Sequence, residues 1–243
     1  MATVTSWHGF RCEEFEFEDR TATIVFPEKT HEKKAWTIKT EYREAFPETE
    51  IELLKRGFHV TYLKNSSRMA PKVDCDVRAR FVEYVSKTYS LAPKCIPVGM
   101  SCGGCHAVNF AGFYPDLVSC MFIDAPVLNF NDYPGDISTH GKEAWENEFV
   151  KAYPGVTRAA LTNFDNHPIG KAQILIDNKI PILMLYGTQD LTVKYELNGL
   201  LLEELYVEHP DLLTVMQRPL QGHHPHGFPQ HPEIIANWIE QRI

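Results

Sequence analysis

Val98-Gly99-Met100-Ser101-Cys102-Gly103-Gly104 is the stretch on which the reading of this chain turns. Upstream, Cys95-Ile96-Pro97-Val98 has the apolar character of a short buried strand. Downstream, Cys102 to Tyr114 reads as a helix whose first turn is crowded with glycine. Ser101 thus sits in a G-x-S-x-G pattern between strand and helix, the layout of a nucleophile elbow. A serine on so sharp a turn takes a strained backbone conformation, and its neighbours must be small for the turn to close. The helix that follows aims unpaired backbone N–H groups at negative charge developing beside the hydroxyl. A capping serine at a Gly-rich helix start gives the same pentapeptide, so the residues farther along decide between the two.

Two later segments favour the elbow. Ile180 to Gly187 is an apolar strand running into Thr188-Gln189-Asp190, and Leu212 to Met216 is a strand followed by Gln221-Gly222-His223-His224-Pro225-His226. Serine, then aspartate, then histidine, each after its own strand, is the chain order of α/β-hydrolases. The order predicts Ser101 as nucleophile and His223, directly after Gly222, as the base that activates it. Asp190 is the carboxylate expected to hold the imidazole in its useful tautomer. His224 and His226 compete with His223 for the base, and Asp124, closing the strand Val118 to Ile123, is the alternative acid.

Acyl transfer also needs donors for an oxyanion. The backbone N–H of Cys102 is expected to be one; the other is expected in the turn Lys39-Thr40-Glu41 and is assigned to Thr40. Lys39 is a candidate for holding an anionic or hydroxylated substrate group, against the plainer reading of a solvated lysine at a strand end. Tyr133, Trp145 and Phe149 are candidates for lining the acyl or alcohol pocket, with ordinary packing as the alternative for aromatics at helical spacing.

The rest of the chain agrees with a single α/β domain over 1–243. A hairpin turns at Asp19-Arg20, Ala35 to Thr40 and Phe58 to Leu63 read as strands, and Glu48 to Arg56 and Val77 to Tyr89 as helices. After the elbow and the strand Val118 to Ile123, the alternation resumes at Pro181 and closes with helices near Tyr195 to Tyr206 and Pro232 to Ile243. This implies a mostly parallel central sheet with helices on both faces. Asn129 to Lys179 breaks the rhythm, with a turn-rich opening and helical stretches around Lys142 to Tyr153 and Ile169 to Ile176; following the sixth predicted strand, it is expected to be a helical lid.

Composition sets the outer bounds. The chain has 243 residues, 44% of them hydrophobic, and 24 basic against 32 acidic residues give a net charge of −8. That balance disfavours nucleic acid and anionic membranes as partners. Without an apolar run of membrane-spanning length, and with six irregularly spaced cysteines, the expectation is a cytoplasmic protein acting on a small molecule. Two rival chemistries are legible. Cys102-Gly103-Gly104-Cys105 is a C-x-x-C, but it lies inside the elbow rather than near the start of a small redox domain. His223, His224, His226 and His231 suggest zinc, but no H-E-x-x-H or paired C-x-x-C accompanies them, so neither a metal nor an organic cofactor is expected.

From Trp36 to the C-terminal helix the chain resembles bacterial α/β-hydrolases of the prolyl-oligopeptidase and esterase-like group. The resemblance is carried by Leu53-Leu54-Lys55-Arg56-Gly57-Phe58-His59-Val60, Gly99 to Gly104, Asp124-Ala125-Pro126-Val127 and Gly222-His223-His224-Pro225-His226. It implies an esterase for carbohydrate or small-acyl esters working through an acyl-serine. Where similar proteins carry arginine after the serine, this chain has Cys102. Amide or peptide hydrolysis on the same triad, and a non-catalytic ligand-binding domain, are the alternatives.

Overall fold

Period-two alternation sorts the strand side chains onto two apolar faces, and this sets the architecture. A computed structural model describes residues 2–136 and 138–243. The strands are β1 (Thr3–Trp7), β2 (Phe10–Phe17), β3 (Arg20–Val25), β4 (Trp36–Lys39), β5 (His59–Leu63), β6 (Ile96–Met100), β7 (Met121–Asp124), β8 (Ile182–Gly187) and β9 (Leu213–Arg218). They form one nine-stranded sheet in the order β1-β2-β3-β5-β4-β6-β7-β8-β9. Pairing is antiparallel from β1 through β3 to β5 and parallel from β5 through β4 to β9.

On one face, Trp36, Ile38, Met121, Ile123, Ile182 and Met184 pack against α2 (Lys72–Tyr89), α3 (Cys102–Phe113), α6 (Ala172–Asp177) and α7 (Gly199–Leu205). On the other, Ile96, Val98, Phe122, Leu183 and Leu185 pack against α1 (Glu48–Lys55) and α8 (Glu233–Glu240). Neighbouring residues of β7 and β8 therefore enter opposite cores, which is why these strands read as continuous apolar runs. The fold is the α/β-hydrolase fold. Among the described residues, no helix is long and apolar enough to cross a membrane.

Three expectations need correction. The sheet starts one strand earlier than expected: β1 exposes all but Trp7, so it carries no alternating apolar signal, and the strand before the segment expected as a lid is the seventh. Helix α2 begins at Lys72 rather than Val77; ahead of Val77 it buries Asp74 and Cys75, and the inward-facing charge of Asp74 interrupts the apolar pattern. Asp74 lies 2.7 Å from an Arg20 guanidinium nitrogen and accepts from the Ser66 hydroxyl at 2.6 Å. The helix expected near Tyr195 to Tyr206 is broken at Asn198. That buried amide is used elsewhere: its oxygen accepts from the N–H groups of Leu128 and Asn129 at 2.8 and 3.0 Å, and its nitrogen donates to Asp132 at 2.8 Å.

The segment between β7 and β8 builds a small core of its own. It holds α4 (Thr139–Ala144), a π-turn at Trp145–Phe149, α5 (Val150–Ala152) and 3-10 turns at Arg158–Asn163 and Pro168–Lys171. Phe130, Trp145, Phe149 and Leu161 pack there with Met69, Cys105 and Val127, so the segment is seated over the start of α3.

Candidate active site

Ser101 stands between β6 and α3 with φ 54° and ψ −120°. For a non-glycine residue this conformation costs about 1–3 kcal/mol and persists only where the surroundings fix it. The Ser101 N–H donates to the Asp124 carbonyl at 2.9 Å, and its own carbonyl accepts from Gly104 at 2.9 Å and Val127 at 3.0 Å. The flanking glycines are steric requirements. A Cβ on Gly99 would stand 2.3 Å from the Gly103 carbonyl oxygen, and one on Gly104 would stand 2.4 Å from Pro126 Cβ.

The two later segments reach this serine from β8 and β9. His223 Nε2 lies 3.1 Å from Ser101 Oγ, and His223 Nδ1 lies 2.7 Å from Asp190 Oδ2. The other Asp190 oxygen accepts the backbone N–H groups of Thr192 at 2.8 Å and Val193 at 3.0 Å. Burial pushes the Asp190 carboxyl up, but the hydrogen bond and charge of His223, with those backbone donors, outweigh it and hold the group below its ordinary range. The chain order thus brings Ser101, His223 and Asp190 into one hydrogen-bonded row.

Asp124, the alternative acid, is committed to a different task. Its Oδ1 lies 2.6 Å from Arg218 Nη2 and its Oδ2 accepts the Gly227 N–H at 2.6 Å. It thereby ties the end of β9 to the far side of the histidine loop, from beneath the loop rather than at the His223 ring. His226 is buried beside the same carboxylate, its Nδ1 3.5 Å from Asp124 Oδ2. His224 is exposed and stacks on Phe46, ring centroids 5.4 Å apart.

A cavity of about 630 Å³ opens over Ser101 and His223, within the usual size range of small-molecule sites. Cys102 and Tyr133 both line it. Cys102 opens α3, and among the described residues no acceptor takes its backbone N–H. Its thiol is pushed up to about 11 by burial, which leaves little thiolate for redox chemistry at the C-x-x-C.

Four other expectations fail on geometry. The Thr40 N–H is taken by the Val98 carbonyl at 3.0 Å, and its hydroxyl donates to the carbonyl of Gly103 at 2.7 Å; Thr40 braces the elbow from below and has no free donor. Lys39 lies on the opposite face of β4 from Ile38, buried, with Nζ 2.5 Å from the Ala45 carbonyl and 3.0 Å from Glu50. It is not solvated and does not line the cavity. Trp145 and Phe149 stack on each other, centroids 4.6 Å apart, inside the core of the covering segment.

The cavity wall also includes Tyr42, Phe46, Arg68, His140, Leu191 and Lys194, which no motif or periodicity singles out. All come from loops past the strand ends or from the covering segment, where pattern reading is weakest. Arg68 joins two of these regions, since its guanidinium grips both carboxylate oxygens of Glu148, Nε at 2.7 Å from Oε2.

No protein-family model matches the chain, and no curated protein matches it in sequence. Solved structures do. A protein assigned as a dipeptidyl aminopeptidase IV from Bacteroides ovatus ATCC 8483 superposes with a TM-score of 0.71 at 12% identity, over 100% of this chain and 36% of that one. The chain thus spans about a third of that protein's length. An S-formylglutathione hydrolase from Agrobacterium tumefaciens gives 0.68 at 14% identity, over 99% and 98% of the two chains. Est1E from Butyrivibrio proteoclasticus gives 0.64 at 15% identity, over 99% and 96%. At such identities the likeness shows the fold.

Proposed function

We propose that the chain is a serine hydrolase that cleaves a small carboxylic ester. The observation that carries this reading is the row from Ser101 Oγ through both nitrogens of His223 to Asp190, at 3.1 and 2.7 Å, under a cavity. His223 takes the serine proton as Oγ attacks the ester carbonyl, and Asp190 stabilises the imidazolium that results. The imidazolium then protonates the departing alkoxide, leaving an acyl-Ser101. Water, deprotonated by the same ring, releases the acid.

In this reading the backbone N–H of Cys102, at the start of α3, stabilises the tetrahedral oxyanion. The segment 129–179 acts as a lid, supplying Tyr133, Asp136, Ser138 and His140 to the cavity. A mixed polar and aromatic wall suits a small-acyl or carbohydrate ester. Est1E and the S-formylglutathione hydrolase match along nearly their whole length, whereas the aminopeptidase matches over 36% of its own. That contrast supports the ester over the peptide reading. Six unpaired, buried cysteines favour a reducing, cytoplasmic setting.

Turnover of a p-nitrophenyl ester series from acetate upward, with Ser101→Ala as control, tests the reading. Hydrolysis that favours short acyl groups and vanishes in the variant is expected. Folded protein that hydrolyses none of the series, or a variant as active as the parent, would overturn it.

A further inference from the structure

Ester hydrolysis requires one imidazole at the cavity, and this chain places three there. One ring nitrogen from each of His223, His224 and His226 lies within 4.8 Å of one from each of the others. Their ring centroids are 4.7, 4.9 and 5.0 Å apart, with interplanar angles of 65°, 81° and 90°. The rings are therefore arranged around a shared space rather than stacked, and all three line the cavity.

Two of them are backed by buried carboxylates. Asp190 engages His223 Nδ1 at 2.7 Å, and Asp124 stands 3.5 Å from His226 Nδ1, which is buried and has no hydrogen-bond partner among the described residues. A carboxylate behind an imidazole orients the ring and raises its basicity, as it does behind histidine ligands of metals. With Nδ1 of His223 held by Asp190, the nitrogen left for a ligand is Nε2, the same lone pair that faces Ser101 Oγ.

We propose that His223, His224 and His226 form a binding site for a transition-metal dication of the zinc type, and that its occupancy switches the hydrolase off. Three imidazoles suit zinc and disfavour calcium or magnesium, which take oxygen ligands. Zinc–nitrogen bonds of about 2.0–2.1 Å in tetrahedral geometry put ligand nitrogens about 3.3 Å apart. The rings therefore close by no more than about 1.5 Å, and exposed His224, at the cavity rim, has the freedom to do so. A metal on His223 Nε2 removes the acceptor for the serine proton, so metal binding and nucleophile activation exclude one another.

The switching half rests on the hydrolase reading; the metal site does not. Calorimetric titration of zinc into the Ser101→Ala protein isolates binding from catalysis. One zinc per chain is expected, with affinity roughly tenfold or more weaker in S101A/H224A. Because His224 is exposed, its removal leaves the fold intact, and circular dichroism checks this; H224Q provides a second variant. In the parent protein, zinc is expected to slow fluorophosphonate labelling of Ser101, and a chelator to restore it. Absence of binding at millimolar zinc, or binding indifferent to both His224 substitutions, would overturn the site. Binding that needs His224 yet leaves labelling untouched would overturn the switch. Binding that needs His224, in a protein that neither labels nor turns over esters, would sink the hydrolase reading and leave the site standing.

Discussion

Replacing each buried aspartate with asparagine should separate chemistry from scaffolding at this site. Asp124 and Asp190 both lie among the histidines, but they face different groups. Asp124→Asn leaves the Arg218 guanidinium, 5% exposed, without its partner at 2.6 Å and weakens the acceptor for Gly227. Breaking a buried ion pair from one side costs roughly 3–5 kcal/mol. Asparagine keeps the shape and one acceptor oxygen, so about 3 kcal/mol is expected. In a chain this long, that is a fall in Tm of about 6–12 °C.

Turnover at a temperature where the variant is folded should drop by less than tenfold, because the His223–Asp190 bond is untouched. Asp190→Asn should do the reverse. Its carbonyl can still accept from Thr192 and Val193, so the Tm falls by only about 2–4 °C, the worth of one hydrogen bond. Its amide cannot hold His223 in the required tautomer, and kcat should fall by about 10⁴, or about 5 kcal/mol of barrier. Differential scanning calorimetry and p-nitrophenyl acetate kinetics on both variants read the two effects. A collapse of kcat in Asp124→Asn at unchanged Tm, or an Asp190→Asn protein within tenfold of the parent, would refute the assignment of the two acids.

Other consequences are equally open to measurement. Gly104→Ala forces a Cβ to 2.4 Å from Pro126, and overpacking of this kind costs about 1–3 kcal/mol. Thermal melts should show the loss and fluorophosphonate labelling should weaken, whereas an alanine variant unchanged in both would contradict the elbow geometry. Arg68→Met should raise KM with kcat largely kept, since the partly exposed Arg68–Glu148 pair is worth at most about 1 kcal/mol to the fold. A fall in Tm of more than about 10 °C would show a structural role instead.

Stability should also fall with acidity in a defined window. Burial pushes His59 down to about 4, and burial with the Arg78 charge pushes His106 down to about 3. Both rings are neutral in the folded protein, while the unfolded chain protonates them below about 6.5. The unfolded state then binds more protons, so this stability is complete above pH about 6.5 and is lost as pH falls toward 4. The slope is about 1.4 kcal/mol per pH unit for each ring. Urea unfolding across that range should show a shallower slope in His59→Phe than in the parent, and equal slopes would contradict the argument.

Much of this arrangement is legible in sequence because it rests on local signals. Gly99, Ser101 and Gly104 mark a turn that tolerates few other residues, and Asp190 and the histidines follow apolar strands whose ends converge in this chain order. Residues whose roles depend on facing were less readable. Lys39 and Thr40 are adjacent, yet one enters the α1 side of the sheet with Glu50 and the other lies under Gly103. A turn motif does not reveal which N–H the sheet has already used. Trp145 and Phe149, four residues apart on a helical segment, stack into the covering segment's core, while Tyr133 in its irregular opening reaches the cavity. Arg68 was silent because its meaning comes from Glu148, eighty positions away. The break at Asn198 was hidden for a similar reason, since its amide serves Leu128 and Asn129.

The most direct test is reaction of the folded protein with a fluorophosphonate, followed by peptide mass spectrometry. A single adduct on Ser101, lost in Ser101→Ala and strongly slowed in His223→Ala, is the expected result. An adduct that maps elsewhere, or labelling of Ser101 that persists at full rate without His223, would contradict the proposal that this row of side chains activates the serine.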